Sequence, residues 1–500
     1  MLRQTFRIAS ASKVSPSIVA QHRIHKMNNW LGARVNVGGL GVPSIKGFMM
    51  STTAASNNAV EADVLHRKHL SSRTFILNRP KALNALNLSM VRNMTPQLQA
   101  WDASDLCKVI VIKGAGGKAF CAGGDVRQVV ELAGANMHDQ ALEFFAEEYK
   151  LNHMIATLKT PFVAILDGIT MGGGVGLSVH APFRIATEKT LFAMPETNIG
   201  LFPDVGGSFF LPRLDGETGT YLGLVGTRLK GIDTVFAGIA THYVPSERLA
   251  ALEERLSELE TDNHDVINMA IEDFVSEPKH DHKYALSEDR EAIDRCFRFD
   301  TIEEILAALE KEHTQFGADT VKSLRTMSPT SLKVTLQQIR EGANLGIADC
   351  FRMELQLARQ FLSGHDFAEG VKALLIEKTL KPQWDPATVE DVDREQILGI
   401  YFRNMPLQTL SLSNDVTWRE YPYRRYALPS EDEIRKIVTG ETHGSGPLQL
   451  TTGEVVDVCV KKSGGKIGVR EKVTEVLSRK VTNGPEGELK WINYSPTTHS

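Results

Sequence analysis

The chain has 500 residues, 42% of them hydrophobic and 23% charged, an ordinary globular composition with enough apolar mass for a core that needs no covalent staples. Its formal net charge of −5 argues against a general nucleic-acid coat, and no run approaches the roughly 20 consecutive apolar residues of a membrane-spanning helix. Five scattered cysteines (Cys107, Cys121, Cys296, Cys350, Cys459) form no C-x-x-C pair, which indicates neither a disulfide framework nor a zinc site.

Residues 1–60 contain no Asp or Glu but carry Arg3, Arg7, Lys13, Arg23, Lys26, Arg34 and Lys46 among many serines. That is the composition of a mitochondrial transit peptide, from which a matrix location is expected; the bland alternative is a disordered tail with no address. Removing these charges takes the net charge from −5 to −12. Folded structure is expected from near Val60. Residues 74–77 read as a strand, and 82–95 as mostly helix that Pro96 stops or kinks. The run Lys108-Val-Ile-Val-Ile-Lys113 predicts a strand with both faces apolar, and 162–166 a third strand ending at Asp167-Gly168. Strands alternating with helices and followed by glycine turns predict an α/β fold with both sheet faces covered. Beyond residue 246 the chain turns to helices, at 249–260, 302–313, 331–342 and 351–363. Residues 391–500 form an extension containing the aromatic and basic strap Trp418-Arg-Glu-Tyr-Pro-Tyr-Arg-Arg-Tyr426 and a basic stretch over 461–480. The division expected is 1–60 leader, 61–246 core, 247–390 helical region and 391–500 extension.

Three segments carry candidate chemistry. Ala119-Phe-Cys-Ala-Gly-Gly-Asp125 and Met171-Gly-Gly-Gly-Val-Gly176 each follow an apolar strand and precede a plausible helix. Together they can aim unpaired amides at one anionic oxygen; singly, each is equally a tight turn. Neither is a phosphate loop, and Cys121 reads as a small buried hydrophobe. The third, Met194-Pro-Glu-Thr-Asn-Ile-Gly-Leu-Phe-Pro-Asp-Val-Gly-Gly207, holds Glu196 and Asp204 in apolar surroundings that raise a carboxyl pKa and poise it for proton transfer or attack. A helix cap is the bland role for either, and Glu is a poor N-cap.

These residues resemble the crotonase superfamily over about 74–244. The run Asp167-Gly-Ile-Thr-Met-Gly-Gly-Gly-Val-Gly-Leu-Ser178, with residues 194–207, is similar to the 3-hydroxyisobutyryl-CoA hydrolase branch, as is Asp366-Phe-Ala-Glu-Gly-Val-Lys-Ala-Leu-Leu375. The resemblance implies a crotonase-type ββα superhelix core with a helical second region and a C-terminal extension. It implies an acyl-CoA substrate and the hydrolysis of 3-hydroxyisobutyryl-CoA, or its 3-hydroxypropionyl analogue, in valine catabolism, with no cofactor beyond the CoA of the substrate. The catalytic pair then falls on Glu196 and Asp204, and the thioester oxygen on the amides of Ala122 and Gly173. Substrate contacts fall on Gly172, Gly173 and Glu148, a one-residue shift moving the last to Glu147. CoA lies along Lys81, Ala82 and Leu83 and the loop Ala122, Gly123, Gly124 and Asp125. Enoyl-CoA hydratases carry a glutamate where Gly176 stands, which sets hydration behind hydrolysis.

The whole-chain layout also resembles fungal relatives recruited into the small subunit of the mitochondrial ribosome, which implies ribosomal RNA and proteins as partners. The strap mixes Arg419, Arg424 and Arg425 with Trp418, Tyr421, Tyr423 and Tyr426, suited to stacking on bases; 461–480 holds seven basic and two acidic residues. The bland alternative is an aromatic strap packed on the core beside a solvated charge run. The resemblance implies trimers or hexamers, but the added helices and tail could block those interfaces, and the sequence leaves the oligomeric state open.

Overall fold

Four β-branched residues in a row, Val109 to Ile112, leave a strand no polar face to show to water, and the chain buries it from both sides. In a computed structural model, described for residues 62–278, 282–403, 410–441, 450–484 and 489–492, Ile110 and Ile112 enter one hydrophobic cluster and Val109 and Val111 another. The expected leader and its transit signal lie outside the described residues. The chain divides at Val60, and everything below concerns Glu61–Ser500.

Strands β1 (Val64–His69) and β2 (Ser72–Leu77) form an antiparallel hairpin. From β2 the first sheet continues in parallel through β3 (Val109–Gly114), β5 (Phe162–Leu166), β7 (Phe183–Ala186) and β10 (His242–Tyr243). A second sheet takes β4 (Ala119–Cys121), β6 (Ile169–Met171) and β8 (Leu191–Ala193) in parallel, with β9 (Leu229–Lys230) antiparallel at its edge. Each turn of the chain thus lays a strand in the first sheet, a short strand in the second, and then a helix. This is the α/β ββα superhelix, and the expected fold class holds.

One element departs from expectation. The segment 82–95 is not one helix: a 3₁₀ turn Pro80–Ala82 precedes a helix Leu88–Asp102 that runs straight through Pro96. Asn87 caps it, its side chain accepting the Met90 amide at 2.8 Å. Met90, Val91, Met94, Leu98 and Trp101 bury one face, and that burial outweighs the one hydrogen bond a proline cannot donate.

Helices Leu249–Glu258, Ile302–Lys311, Pro329–Gly342 and Ile347–Ser363 stand close to where their periodicity puts them. Core, helical region and extension share one hydrophobic cluster reaching from Val129 to Leu477. No described helix is long and apolar enough to cross a membrane.

The extension corrects both sequence readings of its charges. Lys466, Lys472, Arg479 and Lys480 are buried against Glu272, Asp215, Glu431 and Asp294, so more than half of the basic stretch is neither solvated nor free to neutralise phosphates. The strap's rings are likewise taken: the Tyr421 hydroxyl donates to Ala181 O at 2.6 Å, Tyr426 to Asp265 at 2.8 Å, and Tyr423 stacks on His264. Those aromatics pack on the core, as the bland reading of the strap has it.

Candidate active site

Three elements bring three carboxylates together. Glu148 lies on the inner face of helix His138–Thr157, Glu196 opens the 3₁₀ turn Glu196–Ile199 after β8, and Asp204 ends the proline-interrupted loop before the short helix Gly207–Phe210. All three are at most 5% exposed. The turn Met171-Gly172-Gly173 threads between two of them. A Cβ on Gly172 would stand 3.1 Å from Glu196 Oε1, and one on Gly173 would stand 2.5 Å from Glu148 Oε1, a contact no side chain tolerates. The same Cβ on Gly173 would lie 3.2 Å from the Gly124 nitrogen, so both glycine loops meet among the carboxylates. Of the two neighbouring glutamates, Glu147 pairs with Lys150 at 2.8 Å near the surface, while Glu148 faces inward.

The amide pair differs from expectation at one member. The Ala122 amide donates to Leu83 O at 3.1 Å and is spent. Among the described residues no hydrogen bond takes the amide of Gly124 or of Gly173, and these are the two that converge. The cause is local pairing: Leu86 bridges to the loop, its amide bonding Gly123 O at 2.8 Å and its carbonyl accepting from Asp125 at 2.7 Å, which turns the Gly124 N–H away from the strand. Lys81 and Ala82 are exposed beside Leu83, and Arg79 holds Asp125 by an ion pair at 3.0 Å. The expected CoA-binding residues therefore form one continuous edge. Cys121 is buried and its thiol pushed up to about 12 by burial, the state of a packing residue.

Burial dominates the electrostatics. It raises Glu148, with the charges of Asp204 and Glu196 adding to the effect; it raises Glu196, with Asp204 adding; and it lifts Asp204 to about 7 against the hydrogen bond from Tyr149. Among the described residues, one oxygen each of Glu148 and Glu196 is buried with no partner. Such groups are costly to leave unmade in a core and fit a surface built for something that arrives.

Residues the sequence did not single out hold the pair in place. Tyr149 donates to Asp204 at 2.9 Å. Glu354, on helix Ile347–Ser363, accepts the amides of Gly206 at 2.7 Å and Ser208 at 2.9 Å, and burial lifts it to about 8 against those bonds. His180 Nε2 meets Val205 O at 2.8 Å. Val205 itself stands at φ 53°, a left-handed conformation that a β-branched residue adopts only when its surroundings impose it, at a cost on the order of 1–3 kcal/mol. Nothing in the local sequence announces Glu354, 148 and 146 residues from the two amides it clamps. Tyr149 was one step from a residue already chosen.

Gly176 is where a hydratase would need its second glutamate. A Cβ there would come within 2.5 Å of Asn152 Oδ1 and 2.7 Å of Val205 Cβ. Gly176→Ala is expected to lose about 1–3 kcal/mol of stability, the usual range for overpacking a filled core, measured as a lower denaturant midpoint.

With the ββα core, the converging glycine amides and the carboxylate cluster in hand, similarity to known proteins is decisive. The enoyl-CoA hydratase/isomerase family model matches residues 72–401. The chain belongs to the crotonase family. Within it, it falls in the 3-hydroxyisobutyryl-CoA hydrolase branch: it is 47% identical to the mitochondrial 3-hydroxyisobutyryl-CoA hydrolase of Danio rerio, over 74% of this chain and 95% of that one. It is also 46% identical to the small ribosomal subunit protein mS47 of Neurospora crassa, over 83% of this chain and 85% of that protein. Among solved structures, a carnitinyl-CoA dehydratase from Mycobacterium thermoresistibile superposes with a TM-score of 0.65 at 34% identity, covering 71% of this chain and 99% of its own. One of these relatives is a mitochondrial hydrolase and the other a small ribosomal subunit protein, at nearly the same identity.

Proposed function

We propose that this chain is a mitochondrial acyl-CoA thioester hydrolase that converts 3-hydroxyisobutyryl-CoA and water into the free hydroxy acid and CoA. One observation carries the reading: two unpaired backbone amides, of Gly124 and Gly173, converge among three buried carboxylates. The amides polarise the thioester carbonyl by receiving its developing negative charge. Glu196 supplies the oxygen, either by attacking the carbonyl to give a mixed anhydride that water then opens, or by taking a proton from an attacking water. Either way the carbon–sulfur bond breaks and the thiolate leaves with a proton. Asp204, oriented by Tyr149, lies where it can hold the substrate hydroxyl and pass that proton, and Glu148 bounds the acyl site beside Gly173. The edge formed by Lys81, Ala82, Leu83 and the Gly123–Asp125 loop takes the CoA.

Purified protein should release free thiol from 3-hydroxyisobutyryl-CoA and leave an enoyl-CoA unhydrated; hydration without thiol release would overturn the assignment. Both roles for Glu196 need its ionised form. Because burial, with the Asp204 charge adding to it, holds Glu196 above the ordinary carboxylate range, kcat/KM is expected to rise with pH over an interval well above the usual value of about 4.3. A profile that falls over that interval contradicts the scheme. In heavy-oxygen water, label in the Glu196 peptide after turnover would show attack by the side chain, with water opening the anhydride at the glutamyl carbonyl; attack by water on the thioester leaves that peptide unlabelled.

A second reading has its own observation. The ribosomal relative from Neurospora crassa matches more of this chain than the Danio rerio hydrolase does, 83% against 74%. We infer a second role in the mitochondrial small ribosomal subunit, compatible with an intact active site because docking draws on the outer surface. Sedimentation of mitochondrial lysate at low salt tests it: the chain should travel with small subunits, and recovery only in light fractions removes this role.

A further inference from the structure

A second cavity lies away from the carboxylate cluster, between the α/β core and the strap of the extension. Its walls include Val235, Phe209 and Phe236 on the apolar side, and Arg184, Arg213 and Lys472 on the charged side, with Arg424 at the strap. Asp215 is the acidic group in the lining, and it already pairs with Lys472 at 2.7 Å. Arg424 faces Glu433 at 3.8 Å, near the limit of an ion pair.

Arg184 is the unusual member. It is 4% exposed, and among the described residues neither it nor Arg213 has a carboxylate within ion-pair distance. Its Nε donates to Ile239 O at 2.5 Å and its Nη1 to Ala181 O at 2.7 Å, with the Tyr421 oxygen at 3.5 Å. No described residue takes a hydrogen bond from Nη2. Arg213 is bonded throughout to carbonyls, those of Phe209, Gly342, Leu345 and Arg419. A guanidinium buried without a counter-ion is expensive, because carbonyl dipoles only partly replace its water. A cavity at its free edge, with further cations around it, supplies the place for the missing charge.

We propose that this cavity binds a small organic carboxylate, its charged end on the open Nη2 of Arg184 and its compact aliphatic body against Phe209, Val235 and Phe236. A carboxylate fits better than an inorganic dianion because the apolar walls offer a strongly hydrated ion nothing to replace its remaining water, whereas they stabilise a branched hydrocarbon. The site is distinct from the catalytic carboxylates but touches their support: His180 lines it and also holds Val205, next to Asp204.

The test is calorimetric titration of the full chain with isobutyrate, with its neutral isostere isobutyramide and with inorganic phosphate. Isobutyrate should bind saturably and isobutyramide should not. Arg184→Gln and Leu214→Trp, the second filling the cavity while leaving its cations, should each weaken isobutyrate by at least about tenfold, the loss expected of one charged hydrogen bond or of the seat for the aliphatic body. If Arg184→Gln does not fold, Leu214→Trp alone decides. Equal affinity in wild type and Leu214→Trp would place the ligand elsewhere, including the catalytic site, and overturn the proposal. Phosphate binding that Arg184→Gln abolishes, with no isobutyrate binding, would overturn the carboxylate class.

Discussion

Glu196→Gln should leave a protein that folds at least as well as wild type and hydrolyses thioester at least about 10² to 10³ times more slowly. The rate follows from what the substitution removes: the amide keeps the volume of the side chain but can neither attack a carbonyl nor accept a proton, and loss of a single oxyanion donor already costs that much in related chemistry. The stability follows from the sign of the pKa shift. Burial, with Asp204 adding to it, raises Glu196 above its unfolded value. A carboxyl raised on folding favours the native state less as pH climbs past its unfolded pKa, since ionising it in place is penalised. A neutral glutamine escapes that penalty at pH 7. Thermal unfolding and thiol release measured on one preparation therefore separate this expectation from simple damage: an unfolded variant with no activity says nothing of chemistry, and a folded variant with most of its rate removes Glu196 from the mechanism. This opposition of stability and activity is the usual mark of a group kept for function.

What the sequence could and could not disclose follows physical lines. Strand β3 was legible because four β-branched residues in a row suit only a doubly covered strand. Glu196 and Asp204 were legible because carboxylates among Met, Ile, Leu and Phe have few bland uses, and the resemblance fixed their order. The first amide was misassigned to Ala122 because amide direction depends on pairing with Leu83 and Leu86, some 40 residues away, and a glycine-rich loop carries no record of its partner strand. Pro96 looked like a stop because a missing donor is visible in sequence, whereas the buried face of Leu88–Asp102 that outweighs it is a tertiary fact. The basic stretch failed as surface for the same reason. Lysines and arginines show their charge in the sequence, but the acids that neutralise these ones are Asp215 in the core, Glu272 and Asp294 in the helical region, and Glu431 elsewhere in the extension.

That neutralisation makes Glu431 the residue on which the extension most depends. Glu431 opens the helix Glu431–Val438, where Ser430 and Glu433 form a capping box, and its own amide donates to Asp215 at 3.0 Å. Its carboxylate meets Arg290 at 2.9 Å and also Arg479, while Asp294 holds Arg290 and Lys480, each at 2.7 Å. Arg290 is 1% exposed, so these charges have no water to fall back on. Glu431→Gln leaves two buried guanidiniums to share Asp294 and Glu475, and is expected to cost about 3–5 kcal/mol, the range for removing one partner of a buried ion pair. Because core and extension share one hydrophobic cluster, the loss should appear as an earlier single transition in denaturant, not as a detached early step of the extension. The pH dependence has a definite sign. Burial alone would raise Glu431, but Arg290 and Arg479 overcome it and hold the carboxyl far below the ordinary range. A group depressed on folding contributes stability above its unfolded pKa, about 4.3 for Glu, and that contribution fades as pH falls toward the folded value. Unfolding midpoints of wild type and Glu431→Gln should therefore lie far apart at pH 7 and converge in acid. A gap that stays constant across that interval would mean the side chain acts through packing, and not through the charges it joins.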